Sequence, residues 1–306
     1  MAGKEKKTVY EIITERFTEQ LRQGVVPWEK PWISVRGERV GGWSHTTGKP
    51  YSLINQMMLP SPGEYITWRQ IQDDGGTLKK DAKGYPICFW KMYEQEVKDP
   101  NTNHTEVKPV PVLRYYTVYR VEDCEGVSYN YSEDVSELDN LKAPAKSRKA
   151  DALFKAYLKT SGVKFKEVAQ NRAYYNPGSD EIILPDKRQF KDKVGYYNTL
   201  FHEAVHSTGH MSRLNRFSTF THQRGKDYSL EELVAEIGAC AILYNLRLET
   251  KDSIMNSNEY LRGWLMHLHD DPRMIVKAAA RAQKAVRYIW DGPEGIEPHN
   301  DVHLGQ

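Results

Sequence analysis

Two histidines four residues apart enclose a glutamate in the segment His202-Glu203-Ala204-Val205-His206. On a helix, positions i and i+4 lie on one face a turn apart, so both imidazoles can reach a single ion. Glu203 then stands beside that ion, placed to take a proton from a water bound there. The chemistry this predicts is peptide-bond hydrolysis at zinc. The three cysteines, Cys88, Cys124 and Cys240, are scattered and form no CxxC pair. A thiolate site and a disulfide framework are therefore both unexpected, which leaves histidines and carboxylates to hold the metal.

Catalytic zinc keeps three protein ligands and one open position, so a third ligand is needed. The three-histidine extension of the motif requires a histidine at 212, where the chain has Ser212. His210 lies a further turn along, directed away from an ion bound by His202 and His206, which suits it to a supporting or surface place. A better source is the acidic segment Ser229–Ala239, in which Glu232 and Glu236 are again i and i+4. One of the two can ligate while the other steadies a metal-binding histidine. We take Glu232 as the ligand and Glu236 as the hydrogen-bond partner, with the reverse assignment open, and leave Glu231 to solvent. Tyr197, His210, His222 and Tyr228 are candidates for the donor that a developing oxyanion requires. Zinc is expected from the motif type, and another divalent ion would suit the same donors.

These side chains need helices to carry them. Apolar periodicity predicts helices over 192–210, 229–247 and 255–290, preceded by one starting near Ser147. Tyr174-Tyr175 and Ile182-Ile183-Leu184 flank Asn176-Pro177-Gly178-Ser179-Asp180, a hairpin signal whose edge strand could pair with an extended peptide. The expected layout is a first domain over 1–125, a linker over 126–146 and a second domain over 147–306. Both domains are α+β, the second mostly helical with a small sheet. In the first, residues 8–23 read as a helix and Tyr51–Gln72 as two short ones. Residues 85–90 and 112–119 read as strands, separated by a polar loop at 98–108.

The chain has 306 residues, 39% of them apolar and 27% charged, a globular composition with no apolar run long enough to span a bilayer. The basic N-terminus is followed by Thr8-Val9-Tyr10-Glu11 where a signal peptide would need an apolar stretch, so the cytoplasm is the expected location. Charge is unevenly spread. Residues 121–140 carry seven acids and no Lys or Arg, whereas the first 120 residues hold 18 basic against 14 acidic side chains. That basic portion also contains five of the seven tryptophans, Trp28, Trp32, Trp43, Trp68 and Trp90. Interleaved with them are Lys30, Arg69, Lys79, Lys80, Lys83 and Arg114. Aromatic faces beside cations can stack bases and neutralise phosphates, the way single strands are held without sequence readout. The competing reading is an aromatic core with solvated lysines and arginines.

Several segments together resemble the plasmid- and phage-borne antirestriction proteins called ArdC. The likeness rests on Val26-Pro27-Trp28-Glu29-Lys30-Pro31-Trp32, Tyr65-Ile66-Thr67-Trp68-Arg69-Gln70, Pro86-Ile87-Cys88-Phe89-Trp90 and Leu113-Arg114-Tyr115-Tyr116-Thr117-Val118-Tyr119. It continues through Phe201–His210, Arg213-Leu214 and Glu231-Glu232-Leu233-Val234-Ala235-Glu236, and so covers nearly the whole chain. The resemblance implies an N-terminal single-stranded-DNA-binding domain and a C-terminal zincin-like metallopeptidase domain. It also implies a role in protecting incoming plasmid or phage DNA from host restriction. The polar stretch Val97–Lys108 is a place of departure from that pattern. Two rival expectations are a protease for DNA-bound or crosslinked proteins and a non-catalytic DNA-coating protein with structural zinc.

Overall fold

The computed structural model describes residues 7–23, 41–98, 105–131, 143–170, 172–190, 192–219, 224–248, 265–266, 268 and 270–296. Trp28, Lys30, Trp32 and His222 lie outside them, as does most of the expected linker.

Helix α1 (Val9–Arg22) starts at a capping box in which Thr8 and Glu11 exchange side-chain and backbone hydrogen bonds. Helix α2 (Leu53–Met58) follows strand β1 (Gly42–Ser44), and α3 (Trp68–Asp73) follows β2 (Gly63–Thr67) directly. Thr67 ends the strand and caps the helix through Gln70, which accounts for the abrupt change of period at that point. Strands β4 (Tyr85–Lys98) and β5 (Thr105–Arg120) form a long antiparallel ribbon. The sheet order is β1-β2-β5-β4, and short β3 (Thr77–Leu78) pairs with β6 (Cys124–Glu125).

The expected loop at 98–108 is a correction. β4 runs to Lys98 and β5 resumes at Thr105, with register kept from Tyr85↔Val118 to Lys98↔Thr105. The outer part of this ribbon is exposed on both faces, so it lacks the polar–apolar alternation that marks a half-buried strand. Pro109 and Pro111 are tolerated because β5 meets β2 only at residues 118–120 and, among the described residues, has no second neighbour further out.

The second half begins with α4 (Ala143–Ser161). A three-stranded sheet of order β7-β9-β8 follows, made from β7 (Lys164–Val168), β8 (Tyr174–Asn176) and β9 (Glu181–Pro185). The expected hairpin is the β8–β9 pair, with Tyr175 opposite Ile182. β7, which lies parallel to β9, alternates poorly and escaped the sequence reading. Long helices follow among the described residues: α5 (Lys193–Ser207), α6 (Arg224–Asn245) and α7 (Met274–Asp291).

The two halves share one core. Ile13, Phe17, Leu21, Leu53 and Met57 belong to the same buried cluster as Phe201, Val205, Ile242, Ala282 and Val286. Small residues on the buried side of α7, including Ala278, Ala282 and Ala285, admit close neighbours. Polar ties follow the apolar ones: Thr14 donates to the Pro272 carbonyl at 2.7 Å, and the Leu53 amide to Gln283 Oε1 at 2.9 Å. Residues 127–131, expected in the linker, also have partners. Val127 packs on the small cluster around Ile71, while the amides of Asn130 and Tyr131 donate to the buried Glu64 carboxylate at 3.0 Å.

Candidate metal centre

Helix α5 is set by Asp192, whose side chain accepts from the Gly195 amide, and by a buried face containing Tyr197, Leu200, Phe201, Ala204 and Val205. That burial leaves His202 and His206 on the half-open side. Helix α6 packs closely across α5 at Gly238, where an added Cβ would stand 2.8 Å from Val205 Cγ2. A residue with a side chain there would push the helices apart. Gly238 thus sets the distance between the histidines of α5 and the glutamates of α6.

The result is a convergence of three donors. His202 Nε2 and His206 Nε2 lie 3.1 Å apart. Glu232 places one oxygen 3.5 Å from the first and the other 3.4 Å from the second. Three ligands each about 2.1 Å from a tetrahedral ion would stand about 3.4 Å from one another. The donor set therefore fits a divalent metal in both chemistry and spacing. His202, His206 and Glu232 are the one such group among the described residues. The side chains of His202 and Glu232 are 22% and 27% exposed, so the cluster opens to solvent on that side. Glu203 follows His202 and is buried.

The carboxylate seen against His206 is Glu231, which was expected in solvent. It is buried, and Oε1 lies 3.3 Å from His206 Nδ1. Glu231 takes this place at His206, and Glu236 lies buried a turn further along α6. The physical reason is Arg216, which reaches under α6 from the chain that follows α5. Its Nε and Nη2 bind both Glu231 oxygens, at 3.0 and 2.5 Å, and so turn that carboxylate inward. The same guanidinium donates to Thr208 Oγ1 at 2.6 Å and to the Val205 carbonyl at 2.8 Å. A buried arginine three residues past Arg213 left no periodic signal in the sequence.

His210 stands outside the donor cluster. α5 ends at Ser207, and His210 Nδ1 sits 2.8 Å from Ser212 Oγ in the following turn. Among the other candidate donors, the Tyr197 hydroxyl is occupied by Asp151 and the Ser147 carbonyl. Tyr228 is 65% exposed and stands one turn before Glu232 on α6. Arg213 ties the end of α5 to the small sheet, donating to the Ser207 carbonyl at 2.8 Å and to the Asp180 carboxylate. Strand β8 is an outer strand of that sheet.

The charges are strongly coupled. Burial opposes a charge on His206, but hydrogen bonds to Glu231 and Glu232 outweigh it and push the imidazole up to about 9. Burial likewise opposes the Glu232 charge, and hydrogen bonds from His202 and His206 hold that carboxyl well below its ordinary range. A raised histidine stabilises the fold fully below its unfolded value of about 6.5, and the gain is lost as pH rises through the folded value. Protein stripped of metal with a chelator should therefore lose thermal stability between pH 6.5 and about 9. Thermal unfolding in chelator across that window checks this; a flat or rising Tm would contradict it.

The first-half candidates are dispersed. Trp43 is buried, with Nε1 directed at Glu64, and has no face for a base; this corrects its assignment to a nucleic-acid surface. The Trp was placed there on composition, whereas its position on β1 makes it core. Trp68 and Trp90 are exposed, as are Arg69, Lys79, Lys80, Lys83 and Arg114. Trp90 is paired with Leu113 and Arg114 with Phe89, so the Trp90 and Arg114 side chains point to opposite faces of the ribbon.

Residues 7–119 match the N-terminal domain of the anti-restriction factor ArdC, and residues 149–281 match the zincin-like metallopeptidase family. The chain is 32% identical over 293 residues to an Escherichia coli protein named DNA primase TraC, covering 93% of this chain and 20% of that one. A second Escherichia coli DNA primase TraC aligns over 27% of its length, so the chain spans about a quarter or less of these relatives. An uncharacterised Sinorhizobium fredii protein is 24% identical, with 92% of this chain and 91% of that one aligned. The crystal structure of the antirestriction protein ArdC from plasmid R388, in metal-free form, superposes with a TM-score of 0.68 at 32% identity, covering 94% of this chain and 99% of that one. Its Mn(II)-bound form gives 0.67 at 31% identity, covering 94% and 98%. No helix among the described residues is long and apolar enough to cross a membrane. With a two-domain α+β fold, a zincin-like half and this overall similarity, the chain belongs to the ArdC family of antirestriction proteins.

Proposed function

We propose that this protein binds single-stranded DNA through its first half and carries a zinc peptidase site in its second, acting in the bacterial cytoplasm to protect incoming plasmid or phage DNA. The observation that carries the reading is the convergence of His202, His206 and Glu232 beside Glu203, open to solvent on one side. The Mn(II)-bound form of the R388 relative supports a metal-binding role for this half. A bound divalent ion supplies a Lewis acid that polarises a carbonyl and makes water acidic at neutral pH. His202, His206 and Glu232 would hold it. Glu203 accepts the proton of the attacking water and returns it to the departing amine. Glu231, locked by Arg216, fixes the ring of His206 through Nδ1 and leaves Nε2 for the metal. Strand β8 offers an extended peptide an edge to pair with, near the end of α5.

Metal analysis together with fluorescence anisotropy tests both halves. The purified protein should carry zinc that a His202→Ala variant lacks, and should bind short single strands more tightly than duplexes, with strong salt dependence. Equal zinc in the two proteins would remove His202 from the site. An absence of salt-sensitive single-strand binding would remove the DNA half of the reading.

A further inference from the structure

The β4–β5 ribbon sorts its charges by face. Opposite residues of an antiparallel pair share a face, and successive residues alternate. One face carries Phe89 opposite Arg114, Lys91 opposite Val112, Tyr93 opposite Val110 and Gln95 opposite Lys108. Over residues 89–95 and 108–114 it therefore has three cations and no acid, and the next pair outward on it is Val97 opposite Glu106, which leaves three cations against one acid. The other face carries Trp90, Met92, Glu94 and Glu96 opposite Leu113, Pro111, Pro109 and Val107, and then Lys98 opposite Thr105, which is two acids against one cation. At the root of the ribbon the acidic face turns into the shared core through Cys88 and Leu113. The basic face continues from the separate small cluster containing Ile87 and Val118. The two faces therefore look in different directions, and the basic one looks away from the core shared with the metal-binding half.

The basic face is also organised around a ring. Lys91 Nζ and Arg114 Cζ each lie 5.4 Å from the centroid of Tyr93. Arg114 in addition donates to the Tyr93 hydroxyl through Nε at 3.2 Å and Nη2 at 2.9 Å. Phe89 lies one pair nearer the root, against Tyr116 at 5.6 Å between centroids. Lys91, Lys108 and Arg114 are exposed. Cations flanking an aromatic ring on an exposed face of net positive charge suit a polyanion that also presents flat apolar groups.

We propose that this face of the ribbon, formed by Phe89, Lys91, Tyr93, Lys108 and Arg114, is the track on which single-stranded nucleic acid lies. The three cations neutralise phosphates, and Tyr93, with the Arg114 guanidinium held across it, stacks an unpaired base. The inference rests on the single-strand-binding reading and assigns that binding to one face of one element. It also explains the length of the ribbon. Outer residues that bury nothing against the protein are positioned to bury against a ligand.

The test uses the full chain and a fluorescein-labelled oligothymidylate. A Lys91→Ala/Lys108→Ala/Arg114→Ala variant should bind on the order of 10²-fold more weakly at 0.15 M salt, and the slope of log K against log salt should flatten by about 2. Tyr93→Ala should weaken binding about fivefold to a hundredfold with the slope unchanged. Glu94→Gln/Glu96→Gln, on the opposite face, should leave affinity intact. All these positions are on a solvent-exposed ribbon, and unchanged circular dichroism and metal content establish that each variant is folded. Wild-type binding with undiminished affinity and slope in the triple-cation variant would overturn the ribbon assignment and leave the single-strand reading standing. Failure of the wild type to bind would overturn both.

Discussion

A Glu203→Gln variant is expected to retain its metal and lose peptide hydrolysis by about 10²–10⁴-fold, the range by which a positioned acid–base group accelerates such a reaction. The two readouts separate because Glu203 is beside the donor cluster and not in it. The ligand atoms come from His202, His206 and Glu232, and their mutual spacing does not depend on the Glu203 carboxylate. Glutamine keeps the size of the side chain in a buried position and removes only its ability to accept a proton. Metal content by elemental analysis and turnover of a generic protein substrate give the comparison. A variant that lost the metal would mean that Glu203 is a ligand, and one that kept full turnover would mean that another group handles the proton. Protection of incoming DNA in cells then divides the readings further. If the variant protects as well as wild type, the protein acts by coating DNA, and the metal serves the fold. If protection falls with turnover, cleavage is the mechanism.

The sequence disclosed the candidate donor cluster because its spacing is local. His202 and His206 are one turn apart, and Glu232 lies on the next strongly periodic acidic segment, so helix geometry alone brings each pair or residue to a face. Glu231 was lost for the opposite reason. Its inward rotation is imposed by Arg216, fifteen positions away, and a lone arginine in an irregular stretch carries no pattern. The same contrast runs through the fold. The apolar spacing of Ile13, Phe17 and Leu21 marked α1, yet nothing local says that its buried face meets the core of the second half. A polar linker suggested independent domains, whereas Thr14–Pro272 and Leu53–Gln283 are contacts between residues more than 200 positions apart. In the ribbon, two-sided exposure erased the alternation on which strand recognition depends, and the outer residues read as loop. Trp43 shows that composition cannot say which aromatic rings are exposed, since burial is decided by the strand each one occupies.

Arg216→Met should destabilise the protein by about 3–5 kcal/mol, the usual cost of removing one partner of a buried ion pair. Arg216 and Glu231 are each 5% exposed at the side chain, so neither can exchange its partner for water. Methionine fills much of the volume, which leaves the loss chiefly electrostatic and polar. Both Glu231 oxygens would lose their guanidinium donors, and the Val205 carbonyl and Thr208 hydroxyl would lose theirs. Glu231 would then face His206 alone. Stability measured by urea unfolding in chelator isolates this effect from metal binding, and a loss below about 1 kcal/mol would show that the network is relaxed or hydrated in solution. A second consequence follows at the metal. With Glu231 no longer held, the ring of His206 loses its orienting partner, and metal affinity should fall about 10–100-fold. Adding Glu231→Gln to the methionine variant removes the unpaired charge and should recover part of the stability without recovering the affinity. A protein in which stability and affinity returned together would mean that Arg216 acts on the site only by holding the fold. Recovery of stability alone identifies the Arg216–Glu231–His206 chain as the element that aims the histidine.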